Sequence, residues 1–75
     1  MVAPIDKYVI QKVKEKRVEK GFSQSQLAFE LNMSNGVIGK IESGKYGKKY
    51  NVAQLNEIAK VLECSIGDFF PKKPL

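Results

Sequence analysis

The sequence contains no histidine and a single cysteine. Without histidine, the commonest general base and the commonest metal ligand are both missing. A lone cysteine then has no partner for a Cys–His pair, a zinc site or an internal disulfide. The usual catalytic and metal-bound designs are therefore excluded. The chain is not expected to be an enzyme, and no cofactor or metal is called for. Cys64, in VLECSIGDFF, reads as a small buried hydrophobe. No apolar run approaches the ~20 residues of a membrane span. The opening MVAPIDKY lacks a signal peptide's apolar stretch, so the expected location is the cytoplasm. No strand pattern, internal repeat or low-complexity segment is present.

Negative charge is also scarce. Eight acidic residues face thirteen basic ones, for a net charge of +5 and a pI near 9.4. A small basic domain suits a polyanionic partner, most often nucleic acid. Lysine-rich helices that are merely soluble would give the same number, and charge alone leaves both readings open. With 75 residues the chain has the size of one small domain, with little room for a separate sensing or catalytic unit.

What the sequence does have is a repeated helix-start grammar. A helix N-terminus favours Ser, Thr, Asn or Asp at the cap and Glu or Gln three residues on. An apolar residue before the cap packs on one four residues after it. Phe22-Ser23-x-x-Gln26-Leu27 and Tyr50-Asn51-x-x-Gln54-Leu55 both fit. Cys64-Ser65-x-x-Asp68-Phe69 fits with Asp in the third place. Met33-Ser34-x-x-x-Ile38 has the cap and the apolar pair but no box. A longer helix precedes these, with Val9, Ile10 and Val13 as its apolar stripe and Gly21 as its stop. The expected architecture is all-α, with five helices at about 5–20, 24–31, 35–43, 52–62 and 66–70. Residues 1–4 are expected to be a flexible N-terminus, 5–70 the domain, and 71–75 a frayed tail beginning at Pro71.

The second and third helices are short and separated by about three residues. Leu27, Ala28 and Leu31 share one face of the first. Ile38 and Ile41 share one face of the second. Ala28 is small where two helices would cross closely. Asn32 falls at the turn, where it tolerates a left-handed backbone. This is the spacing of a helix-turn-helix, whose second helix enters the DNA major groove. With Ile38 and Ile41 inward, the outward face of 35–43 holds Asn35, Gly36, Gly39 and Lys40, with Ser34 and Ser43 at its ends. Asn35 has the donor and acceptor to pair with adenine, and Lys40 the reach for guanine O6 or N7.

From about Val9 to Phe70 the chain resembles the Cro/C1-type (Xre-like) helix-turn-helix family, which includes the lambdoid phage repressors and many bacterial regulators and antitoxins. The resemblance rests on VKEKRVEKGFSQSQLA, SNGVIGKIESG and LNEIAKVLECSIGDFF taken together. It implies a lambda-repressor-like DNA-binding domain and a dimeric transcriptional regulator, of repressor type. It implies base reading by Asn35, Gly36 and Lys40, and a phosphate held by Gln24 with the helix-end amides, Ser23 among them. It implies an ion pair between Arg17 and Glu42, mainly structural, with Arg17 also able to face a phosphate. It places the basic loop GKYGKKYN, with Lys45, Lys48 and Lys49, along the DNA backbone and close to the dimer partner. Tyr50 reads as the apolar staple before Asn51, and the lysines of the first helix as mostly solvated.

Two features depart from that family pattern. Glycine in a helix interior costs roughly 1 kcal/mol relative to alanine, and Gly36 and Gly39 occupy the very surface that should read bases. Three readings stand: the helix seats deeper in the groove, the face is partly blank and binding leans on phosphates and DNA shape, or DNA is no longer the main partner. Phe29 occupies a position that is usually polar in the family. It either packs under the N-terminal segment or stands exposed as an anchor. Together these keep a rival reading alive, an antitoxin or adaptor whose chief partner is another protein.

Overall fold

A computed structural model describes residues 2–75 of the chain. Four α-helices follow one another: α1 (Pro4–Glu19), α2 (Gln24–Glu30), α3 (Val37–Ser43) and α4 (Val52–Val61). A single 3-10 turn, Ile66–Phe69, follows them. No strand occurs among the described residues. The fifth expected helix is thus reduced to this turn. Ser65 caps it and Pro71 follows closely, leaving too little chain for an α-helical hydrogen-bond ladder.

Local sequence explains where each helix begins. Ser23 accepts from the Gln26 backbone N–H while the Gln26 side chain accepts from Ser23, a reciprocal box. Asn51 and Gln54 repeat it for α4, and Ser65 with Asp68 for the last turn. α1 opens one residue earlier than expected, at Pro4, whose fixed φ suits a first helical position. Asp6 reaches back to the Ala3 N–H at 3.1 Å. Of the expected flexible N-terminus, Met1 lies outside the described residues, and Val2 packs partly against the core.

Three helices end alike. Gly21, Asn32 and Glu63 take positive φ of 79°, 58° and 53°. The next N–H in each case returns to a carbonyl five residues back: Phe22 to Arg17, Met33 to Ala28 and Cys64 to Ala59. These closures satisfy end carbonyls that the helix leaves open.

The core gathers one face from every element. Val9, Ile10 and Val13 of α1 meet Leu27 and Ala28 of α2, Ile38 and Ile41 of α3, and Leu55, Ile58 and Ala59 of α4. Phe69 from the 3-10 turn is fully buried and plugs the end formed by α1 and α4. Tyr50 is buried just before Asn51, in the position expected of the staple. Leu31, Met33 and Cys64 are half-buried at the edge of this core. Residues 72–75 are exposed and lack regular structure. No helix among the described residues is long and apolar enough to cross a membrane.

Candidate nucleic-acid interface

The α2–turn–α3 unit starts from Ser23. Its capping bonds fix the first turn of α2 and set Gln24 at the open end of that helix. Ala28 is nearly inaccessible where α2 and α3 cross, and a larger residue would push them apart. Asn32, left-handed at φ 58°, turns the chain between them.

The third helix begins two residues later than its hydrophobic pattern suggested. Gly36 is its N-cap, at φ 92° and ψ −14°, and makes no side-chain cap bond. Ser34 therefore does not cap the helix; its carbonyl accepts from the Val37 N–H at 3.3 Å. Gly36 is not a glycine inside a helix at all. Its backbone lies in the left-handed region that L side chains rarely adopt, and that conformation accounts for the glycine. Asn35 consequently precedes the helix rather than forming its first turn. Its Oδ1 accepts from the Ser25 hydroxyl at 3.2 Å, which ties the approach to α3 back onto α2.

Gly39 does lie within α3, but a Cβ there would face α2 and not open space. It would stand 3.0 Å from Gln24 Oε1. The expected bare outward face thus shrinks to Asn35, Gly36 and Lys40, all exposed. Lys40 sets its ammonium 5.8 Å from the ring centre of Tyr46, itself exposed in the following loop. Ser43 closes the helix: its hydroxyl donates to the Lys40 carbonyl at 2.8 Å and accepts from the Lys45 N–H at 3.2 Å.

Behind this surface lies a buried polar knot. Arg17 Nε and Nη2 donate to Glu42 Oε2 and Oε1 at 2.8 and 2.9 Å, and Nη1 donates to the Phe22 carbonyl at 2.7 Å. Gln24 Nε2 donates to Glu42 Oε1 at 3.0 Å. All three guanidinium nitrogens of Arg17 are engaged within the protein and the residue is buried, as the expected structural pair requires. Gln24 is joined to the pair from the exposed side. That bond crosses from the first residue of α2 to α3, and sequence spacing gave no hint of it.

The loop after Gly44 carries Lys45, Lys48 and Lys49, all exposed. Lys49 lies 3.6 Å from the Asp6 carboxylate and so links the loop to α1. Phe29 is 82% exposed, and Val2 occupies the core edge near α1, so Phe29 does not pack under the N-terminal segment. It separates two shallow hollows, one with Phe22 and Gln26, the other with Met33 and Asn35. No group of three or more His, Cys, Asp or Glu side chains gathers as a metal site among the described residues.

A helix-turn-helix family model matches residues 13–69, most of the chain. The chain belongs to the Cro/C1-type helix-turn-helix family. Its helix-turn-helix is of the DNA-binding class. Among solved structures, a point mutant of the restriction-modification controller protein C.Esp1396I is 30% identical, with a TM-score of 0.77 over 92% of this chain and 85% of that one. The controller protein C.AhdI from Aeromonas hydrophila is 26% identical, with a TM-score of 0.72 over 88% and 96%. Hydroxypropylphosphonic acid epoxidase from S. wedmorenis is 27% identical, with a TM-score of 0.75 over 89% of this chain. The chain spans only about a third of that enzyme's length, 35%. The likeness is therefore one of a helical unit and carries no catalysis across. No curated protein matches the chain.

Proposed function

We propose that this chain binds duplex DNA sequence-specifically as a transcriptional regulator of repressor type, in the cytoplasm, with α3 in the major groove. The observation that carries the proposal is the placement of Asn35 and Lys40. Both are exposed, Asn35 just ahead of α3 and Lys40 midway along it, and nothing lies within 4 Å of where a Cβ on Gly36 would stand. Asn35 supplies adenine-type pairing and Lys40 guanine-type pairing. Gln24, the Ser23 hydroxyl and the loop lysines Lys45, Lys48 and Lys49 take phosphates. The net charge of +5 favours the encounter.

Two copies would read half-sites about one helical turn, ~34–36 Å, apart. The contact between them is small and draws on the loop after Gly44, the turn Ile66–Phe69 with Phe70, and the tail with its exposed Leu75. The dimer is therefore weak and assembles on DNA. The controller proteins that share the fold act in restriction-modification, and a controller role on the chain's own operator fits this size.

The exposed Phe29 favours a second reading, an antitoxin or adaptor whose main partner is a protein. Selection from random duplex DNA at near-physiological salt separates the two. A two-fold symmetric motif preferred by at least ~10³ over bulk DNA supports the regulator. Salt-sensitive binding without a motif leaves only phosphate contacts. Absence of duplex binding moves the main partner to a protein.

A further inference from the structure

Gly39 sits mid-helix in α3, where glycine costs roughly 1 kcal/mol relative to alanine. Its backbone is not left-handed, so conformation does not require a glycine there. What requires it is Gln24. A Cβ on Gly39 would stand 3.0 Å from Gln24 Oε1, 3.7 Å from Cδ and 4.0 Å from Nε2. The first distance is tighter than ordinary van der Waals contact, and the amide lies along the slot left by the absent methyl. In that slot Gln24 Nε2 donates to Glu42 Oε1 at 3.0 Å. Glu42 is in turn held by Arg17, with the two side chains only 3% and 9% exposed.

We propose that Gly39 is a positioning residue for the phosphate contact of Gln24. The proposal rests on the DNA-binding reading above. Glu42 takes one of the two Nε2 hydrogens and fixes which end of the amide faces it. The second hydrogen is left for a phosphate oxygen. Gly39 keeps this arrangement by leaving room for Oε1 on the other side. The obstacle a Cβ would meet is the tip of a flexible side chain, so adding one does not unfold the domain. It displaces the amide from Glu42 and turns the donor away. The glycine in α3 thus serves Gln24 on α2, not the reach of Asn35 or Lys40.

The test compares four proteins: wild type, Gly39→Ala, Gln24→Ala and the double variant. Each is melted without DNA and titrated with the duplex selected above and with bulk DNA. Gly39→Ala should weaken both duplexes about tenfold, the worth of one hydrogen bond to a charged group. In the Gln24→Ala background the same change should cost no affinity. Melting should show the partner effect, with Gly39→Ala raising the midpoint more once Gln24 is gone. Equal affinity losses from Gly39→Ala in both backgrounds would mean that the methyl strikes DNA itself, and would overturn the proposal. So would a loss confined to the selected duplex. If the wild type binds no duplex, the DNA reading and the phosphate role fall together. The melting cycle then still reports separately whether Gly39 and Gln24 are coupled.

Discussion

Arg17 and Glu42 face each other across the domain and meet at two points, 2.8 and 2.9 Å, in a nearly dry interior. One belongs to α1 and the other to α3. The third guanidinium nitrogen holds the Phe22 carbonyl just ahead of α2, and Gln24 adds a bond to the same carboxylate. One ion pair thus references three helices to each other. It sets the height and tilt of α3 relative to the open end of α2, the two elements that the proposed function brings to one DNA groove and its backbone.

Removing half of such a pair is far worse than removing all of it. Glu42→Gln leaves Arg17 buried without a counter-charge, and breaking a buried pair costs about 3–5 kcal/mol. A domain of this size has total stability of only about 4–11 kcal/mol. Urea denaturation of Glu42→Gln should therefore find a barely folded protein. Replacing both partners, Arg17→Met with Glu42→Leu, should recover most of the loss. A Glu42→Gln midpoint within error of wild type would show that the pair does not brace the fold.

Left-handed positions give a matched pair of backbone predictions. Gly36 needs φ 92° and faces open space, so Gly36→Ala costs about 1–2 kcal/mol from conformation alone. Glu63 is an L residue held at φ 53°, so Glu63→Gly should stabilise by about 0.5–1 kcal/mol, after the entropy glycine adds to the unfolded chain. Each 1 kcal/mol moves the melting midpoint by roughly 4–8 °C in a domain of this size. Calorimetry should show opposite shifts. Equal melting of Gly36→Ala and wild type would mean that the α3 cap has another conformation.

Much of this architecture is written locally. The boxes Ser23–Gln26, Asn51–Gln54 and Ser65–Asp68 specify their own turns, so helix starts are readable without tertiary knowledge. Asn32 is readable because few other residues suit a left-handed turn. Glu63 takes the same conformation and is not readable, since glutamate does not favour it and only the closure from the Cys64 N–H to the Ala59 carbonyl marks the turn. The start of α3 is ambiguous in sequence, because Ser34 offers a cap while Asn35-Gly36 carries the stronger turn signal, a dipeptide that favours positive φ. The site was partly legible: exposed polar types at Asn35 and Lys40 follow from the inward Ile38 and Ile41. The Gln24–Glu42 and Ser25–Asn35 bonds were not, because they join residues 18 and 10 positions apart through the crossing of two helices.

Tyr50 ties the core to alkaline pH. Its hydroxyl is buried and has no hydrogen-bond partner within the protein. Burial pushes the phenol's pKa well above its ordinary value, Glu42 adds to the rise, and Arg17 opposes it. The unfolded phenol loses its proton near the ordinary value of about 10, while the folded one keeps it. Stability is thus intact below that pH and falls as pH rises above it. Tyr50→Phe removes both the orphaned hydroxyl and this loss. It should be neutral or stabilising at pH 7, by up to about 1 kcal/mol, and should flatten the decline of the melting midpoint above pH 10. A large loss at pH 7 would mean that the hydroxyl is satisfied in solution.

Lys40 and Lys48 are both exposed lysines, and the proposed DNA-bound arrangement gives them different work. Lys40 rises from the exposed side of α3, where the proposal puts base edges. Tyr46 beside it offers an aromatic face that steadies the ammonium before DNA arrives. Lys48 stands in the loop after Gly44, which the proposal lays along the DNA backbone. Lys40→Ala should cost about 1–3 kcal/mol on the preferred duplex and much less on bulk DNA, narrowing the gap between them. Lys48→Ala should weaken both duplexes alike and reduce the slope of log affinity against log salt by about 1. Titrations of both variants at several salt concentrations measure the two signatures side by side. Uniform losses from Lys40→Ala would make it a phosphate contact, and base reading would then fall to Asn35 alone.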